Sequence, residues 1–243
     1  MNKKVLMING SFRKKKTYNV LQQIAEKMKE RDIDFEIINL FDHDIKDCTG
    51  CNEICTKQGR CNVEDDMPAI MQKILESDGL VLGSPVHLGN VSSKFLAFAD
   101  RTNAWHHKPE IAGKPILLVV ATEITGIKET LRFLKQFAIG LGGQKAGTIT
   151  RNGANDHMPV QLAEVASFIS LLLTDKKQYK PTMTEVISFQ LQKILVNSSD
   201  GDAKKFWEEK NWNDKYYYYD CKINIFKKLY SLFIYKIVSG IMK

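Results

Sequence analysis

Between residues 4 and 150 the chain alternates short runs of β-branched residues with stretches of helical periodicity, and this rhythm limits its fold more than any other feature. It is the pattern of βαβ units and a parallel sheet buried on both faces. Strands are expected over residues 4–9, 34–40, 79–84, 115–121 and 147–150, and helices over 18–30, 67–76, 92–103 and 127–141. The first helix takes its apolar stripe from Val20, Leu21, Ile24, Ala25 and Met28. Five strands with four intervening helices predict an α/β chain with a doubly wound, five-stranded parallel sheet. Ligands of such sheets sit outside the carboxyl ends of the strands, so the segments after strands one, three and four are where chemistry is sought.

From residue 156 onward no strand pattern recurs, and helices are expected over 159–173 and 184–196. The first closes the second face of the sheet. The second opens a helical C-terminal extension, which also holds two Trp and four consecutive Tyr within residues 206–219. The expected division is 1–175 and 176–243.

A chain of 243 residues makes one large domain or a medium one with an appendage. At 44% hydrophobic and 26% charged, with 15 Gly and 6 Pro, it is excluded from the collagenous, low-complexity and largely disordered classes. The net charge of +7 favours anionic partners such as phosphates, nucleotides or a lipid surface, and no nucleic-acid motif accompanies it. Of five cysteines, four crowd between Cys48 and Cys61, too uneven for the framework of a secreted mini-domain, so a reduced, cytoplasmic chain is expected. The apolar run after Lys3 and Lys4 covers only residues 5–8, shorter than a secretory signal requires. No window reaches the ~18 uninterrupted apolar residues of a membrane span.

After the first strand comes Gly10-Ser11-Phe12-Arg13-Lys14-Lys15-Lys16-Thr17-Tyr18-Asn19. Backbone N–H groups at a helix start, the hydroxyls of Ser11 and Thr17 and the guanidinium of Arg13 together compose a phosphate cradle. The alternative is a capped helix start with a solvated lysine run. The Walker and dinucleotide glycine patterns are both missing, which argues against ATP hydrolysis and against a nicotinamide-binding Rossmann domain. After the third strand comes Ser84-Pro85-Val86-His87-Leu88-Gly89-Asn90-Val91-Ser92. Pro85 ends the strand, and Gly89-Asn90 permits a turn that aims N–H groups into the crevice. Such a loop suits a flat heterocycle.

With these two loops, the Cys48-x-x-Cys51 region running into Asp65-Asp66-Met67, and Asp100-Arg101-Thr102, the chain resembles the flavodoxin-like NAD(P)H-dependent FMN reductases and the related iron–sulfur flavoproteins over roughly residues 3 to 150. The resemblance implies that Ser11, Arg13, Thr17 and Asn19 hold the FMN phosphate, while Pro85, Val86, His87, Gly89 and Asn90 line the isoalloxazine. Tyr18, Leu88 and Thr122 complete the cofactor-binding residues it implies. His87 stands where many relatives carry an aromatic residue. The loop Ala121-Thr122-Glu123-Ile124-Thr125-Gly126 lacks the Gly-rich run often found there, and Glu123 is unhelpful to an anionic reduced ring.

The cysteines read Cys48-x2-Cys51-x3-Cys55-x5-Cys61. Four thiolates this close can ligate a tetrahedral zinc or a 4Fe-4S cluster, with free thiols as the default reading. The iron–sulfur flavoproteins usually place two residues between the second and third Cys, where this chain has three. Cys221 reads as structural. His106 and His107 are adjacent, about 100° apart on a helix, and read as pocket rim and not as a metal pair. Asp65 and Asp66 read as an N-cap and a dipole partner for the helix that follows.

In the tail, Phe226, Tyr230, Phe233, Ile237 and Ile241 share one helical face, while Lys222, Lys227, Lys228, Lys236 and Lys243 supply charge with no acid. One amphipathic helix over 222–243 is expected, with its stripe buried against protein across a homodimer interface; peripheral contact with an anionic membrane is the alternative. The function implied is hydride transfer from NAD(P)H to bound FMN and onward to a quinone, flavin, nitro or azo compound or a protein acceptor. No acid, base or nucleophile need act, and no catalytic triad is evident. Two rival readings are an electron carrier using a cluster at the four cysteines and a flavin-binding membrane-surface module.

Overall fold

In a computed structural model the chain is described over residues 2–51, 53–58, 61–155, 158–198 and 200–241. Five strands form one sheet: β1 (Lys4–Asn9), β2 (Asp34–Asn39), β3 (Gly79–Pro85), β4 (Pro115–Ala121) and β5 (Gln144–Arg151). Their order is β2-β1-β3-β4-β5, and every pairing is parallel. The doubly wound, flavodoxin-like sheet expected from the sequence is therefore present.

Successive residues of a strand point to opposite faces, and here both faces are apolar. Leu6, Ile8, Leu80, Leu82, Leu118 and Val120 enter one core with α3 (Met67–Glu76), α4 (Ser93–Arg101) and α6 (Ile127–Gly140). Val5, Met7, Val81, Leu117 and Val119 enter the other with α1 (Lys16–Lys29) and α7 (Leu162–Leu173). Each of these side chains is at most 1% exposed, and full burial of one stabilises the fold by about 1.5–3 kcal/mol.

Several boundaries differ from the expected ones. α1 begins two residues earlier, at Lys16, because the lysine run is compatible with helix and the chain there is already turning. β5 extends three residues further toward the N-terminus, through a register shift opposite Ile116 and Leu117. Two short helices, α2 (Glu53–Gln58) and α5 (Ala104–His107), carry too little periodicity to be read from sequence.

The extension contains α8 (Met183–Asn197), α9 (Asp202–Glu209) and α10 (Ile225–Ile241). α8 starts in a reciprocal capping box, in which the Glu185 N–H donates to Thr182 Oγ1 and the Thr182 N–H donates to the Glu185 carboxylate. Phe189, Val196, Ala203, Trp207, Trp212, Tyr217 and Tyr218 form a third core, drawn from the extension alone. It is tied to the sheet unit by the Trp207 indole, which donates to the His107 carbonyl at 2.9 Å, and by Gln192, which donates to the Gly140 carbonyl. At the amino end of β5, Gln144 donates to the Tyr219 hydroxyl.

The tail is helical from Ile225, as its periodicity predicts, and on the single chain Phe226, Tyr230, Phe233 and Ile237 are exposed. α10 rests on α8 through its other face, where Ser231 is buried. Lys243 lies outside the described residues.

Trp207 is fully buried against Phe189 and Trp212, at ring separations of 5.3 and 5.2 Å. Trp207→Ala is expected to cost about 3–5 kcal/mol, measured by urea unfolding followed by far-ultraviolet circular dichroism.

Candidate active site

β1 and β3 lie side by side, and the chain leaves them for opposite faces of the sheet, which opens a crevice at their carboxyl ends. Three loops surround it. Gly10 starts the first, where the backbone passes so close to α4 that a Cβ would stand 3.0 Å from Phe95 Cβ and 3.2 Å from the Gly83 carbonyl oxygen. Asn9 then fixes the turn: its Oδ1 accepts from the Ser11 N–H at 3.2 Å, and its Nδ2 donates to Asn39 Oδ1 at 2.9 Å. The Ser11 hydroxyl donates to the Arg13 carbonyl at 2.8 Å. Lys15 at the N-cap makes no side-chain cap bond, and the first turn of α1 carries no acid. The helix itself thus places no acid at the positive end of its dipole.

The loop after β3 is a two-residue hairpin turn. His87 and Asn90 exchange backbone hydrogen bonds at 2.8 and 2.9 Å around Leu88 and Gly89, whose φ angles are 50° and 74°. Leu88 costs about 1–2 kcal/mol in this left-handed region, and its side chain is wholly exposed. The loop after β4 turns through Thr122, whose hydroxyl donates to the Thr125 carbonyl at 2.8 Å, and through Gly126 at φ 90°. A Cβ on Gly126 would lie 2.6 Å from Val86 Cγ1, so the second and third loops pack directly together.

Ser92 joins these parts. Its hydroxyl donates to the Gly10 carbonyl at 2.6 Å and accepts from the Phe95 N–H at 3.2 Å, capping α4. Its own N–H donates to Ser84 Oγ at 3.0 Å.

The loops enclose a cleft of about 500 Å³. Of the residues singled out from sequence, Ser11, Arg13, Thr17, Asn19, Pro85, Val86, His87 and Thr122 line it. Tyr18, Leu88, Gly89 and Asn90 do not; the last three shape the hairpin beside the cleft. Lys15, Lys16, Ala121 and Glu123 line it as well. Lys16 pairs with the Glu123 carboxylate at 2.5 Å, so the acid that reads as unhelpful in the sequence is met by a cation from the first loop. That pairing spans 107 residues and has no local signature.

The cysteine segment lies apart from this cleft. Arg101 is 2% exposed and forms an ion pair with Asp65, donates to the Lys46 and Val63 carbonyls, and donates through Nε to Cys61 Sγ at 3.3 Å. Asp65 also accepts from the Met67 N–H at 3.0 Å. Asp66 occupies the N-cap position of α3 but makes no cap bond with its side chain, accepting instead from the Asp44 N–H at 2.8 Å. The simple cap-and-dipole reading of the two acids is thus corrected: Asp65 is the buried partner of Arg101. Burial disfavours its charge, and hydrogen bonds from Arg101, Lys46 and Met67 outweigh this, holding its carboxyl below the usual range.

Cys48 is exposed, Cys55 buried, and Cys51 and Cys61 half-buried. Burial, with Cys51, Cys61 and Cys48 nearby, pushes the Cys55 thiol up to about 11. Among the described residues no three His, Cys, Asp or Glu side chains are placed to share a metal ion. His106 lines a second cavity of about 480 Å³ with Cys48, Asp100 and Asn103, whereas the His107 carbonyl receives the Trp207 indole.

The pattern of the NADPH-dependent FMN reductases matches residues 3–158, and the chain belongs to that family. An iron–sulfur flavoprotein of Archaeoglobus fulgidus is 40% identical over 99 residues, covering 41% of this chain and 48% of that protein. The chain thus spans about half the length of the first such relatives it matches. A second Archaeoglobus fulgidus iron–sulfur flavoprotein is 26% identical over 220 residues, 86% of this chain and 99% of that one. In fold, the NAD(P)H:quinone oxidoreductase from Methanothermobacter marburgensis superposes with a TM-score of 0.58 at 15% identity, over 72% of this chain and 100% of that one.

Because the Asp65 carboxyl is lowered on folding, its contribution is present above its unfolded value of about 3.9 and is lost as pH falls through the folded value. The urea midpoint of the wild type should therefore drop more steeply below about pH 4 than that of Asp65→Asn, which should be the less stable protein near neutrality by about 3–5 kcal/mol.

Proposed function

We propose that the cleft at the β1/β3 switch holds FMN and that the chain is an oxidoreductase using NAD(P)H to reduce it. The observation that carries this reading is the amino end of α1, which has no side-chain cap and no acid in its first turn, and faces a cleft that Arg13, Lys15 and Lys16 also line. A terminal phosphate fits there: Ser11, Arg13, Thr17 and Asn19 supply donors, and the helix dipole supports the charge. The volume is within the ~300–1,000 Å³ usual for cofactor sites. Bound FMN supplies hydride acceptance and release, and no side chain is needed as nucleophile or general acid.

The protein's part is to bind and orient. Pro85, Val86 and His87 line the cleft beside Thr122 of the neighbouring loop, and the close contact of Gly126 with Val86 holds these two loops together. The Lys16–Glu123 pair keeps the carboxylate engaged beside the phosphate donors. The acceptor is a quinone, flavin, nitro or azo compound or protein. Related proteins carry iron–sulfur in their names, while among the described residues no three cysteines are placed to share a metal ion.

Arg13→Ala combined with Thr17→Ala should release FMN, raising its dissociation constant by at least about tenfold in fluorescence titration, as loss of charge-assisted bonds implies. Retention at wild-type affinity would place the phosphate elsewhere. In anaerobic stopped flow, NADH or NADPH should bleach the flavin absorbance of the wild-type protein; bleaching by dithionite alone would favour an electron carrier.

A further inference from the structure

We propose that α10 docks the protein on an anionic phospholipid surface. Ile225, Phe226, Leu229, Tyr230, Phe233, Ile237 and Ile241 are between 43% and 78% exposed, and they make up half of the large apolar side chains exposed among the described residues. All but Ile225 fall within about 120° of one helical face at 100° per residue. The opposite face is already occupied, since Lys227, Lys228, Ser231, Ile234, Tyr235 and Val238 are at least half-buried on the α8 side. The helix is therefore fixed to the body by one face and presents a continuous apolar stripe with the other. Such a stripe, some 25 Å long at 1.5 Å per residue, lies in an interface and does not span it. Among the described residues no helix is long and apolar enough to cross a membrane.

Charge decides between a bilayer and a second copy of the chain. Residues 176–243 carry thirteen lysines against seven acids, a net +6 of the chain's +7, and no acid follows Asp220. Pairing two such stripes face to face would bring these excess charges together. An anionic headgroup layer complements them, with Lys222 and Lys236 exposed beside the stripe. Lys227 and Lys228 are engaged with the body, the first donating to the Pro181 carbonyl at 2.6 Å and the second lying over the Tyr216 ring, so they set the helix in place.

Docking in this way leaves the cleft free. The extension is attached at the amino ends of the strands, through Gln144 and Tyr219, and the cleft opens at their carboxyl ends.

The test is cosedimentation of the full chain with vesicles of phosphatidylcholine alone or mixed with phosphatidylglycerol. Binding is expected to the mixed vesicles and not to phosphatidylcholine alone, and to weaken at high salt. It should fall by about tenfold or more in Phe226→Glu with Phe233→Glu, a change that leaves the melting temperature and solution mass unaltered. The surface pair Lys222→Glu with Lys236→Glu should weaken binding in the same way if the first variant folds poorly. Absence of binding to the mixed vesicles would overturn the proposal, as would equal binding to both lipids. A Phe226→Glu, Phe233→Glu protein that changes from dimer to monomer with unchanged vesicle binding would instead assign the stripe to a second copy.

Discussion

A parallel sheet buried on both faces has nowhere to receive a ligand except beyond the ends of its strands. Val5 to Ile8 alternate between the two cores with no residue left for solvent, and β4 is as fully enclosed. The chemistry is consequently confined to the loops. The strand order makes one place special, because the chain leaves β1 toward α1 and β3 toward α4, on opposite sides. Everything that distinguishes the cleft follows from how the loops are held at that divergence.

What holds them is a small amount of buried polar chemistry. Ser92 ties the first loop to the third strand and to the start of α4, all at sites closed to solvent. A hydroxyl there replaces water for two backbone groups that would otherwise be buried without partners, and an unpaired one costs about 1–3 kcal/mol. Gly10 and Gly83 let the backbones approach; a Cβ on either would crowd Phe95 or Thr17. On the other side of the molecule Arg101 does comparable work for the cysteine segment, gathering Asp65, Lys46, Val63 and Cys61 around one guanidinium. Its fork of donors matches the carboxylate and the carbonyls together, which a lysine could not do.

The sheet was legible because its strands are short apolar runs separated by amphipathic stripes, and burial on both faces leaves that pattern little freedom. The cleft residues were legible where they are consecutive: Ser11 to Asn19 and Ser84 to Ser92 sit on single loops whose positions follow from the sheet. What escaped are pairings over long separations. Lys16 and Glu123 meet only because the loops after β1 and β4 are neighbours in space, and Asp65 looked like a helix cap because Arg101 is 36 residues away. The turn expected at Gly89-Asn90 is centred one residue earlier, on Leu88-Gly89, because leucine is a poor indicator of a left-handed turn. α9 was not distinguished from the aromatic segment around it, since its burial depends on a third core that no periodicity announces. The tail's periodicity was read correctly as helix, whereas spacing defines a stripe and does not say what covers it.

The two ends of the sheet have thus acquired different surfaces. At the carboxyl ends lie the cleft and the cationic first loop; at the amino ends the extension is joined to the sheet, and residues 176–243 carry +6 of the net +7. The extension is tied to the rest of the chain at His107, Gly140, Gln144 and α2, so these attachments are made away from the residues that line the cleft. If α10 rests on a lipid surface, contact with the membrane is made through the extension and not through the three loops around the cleft.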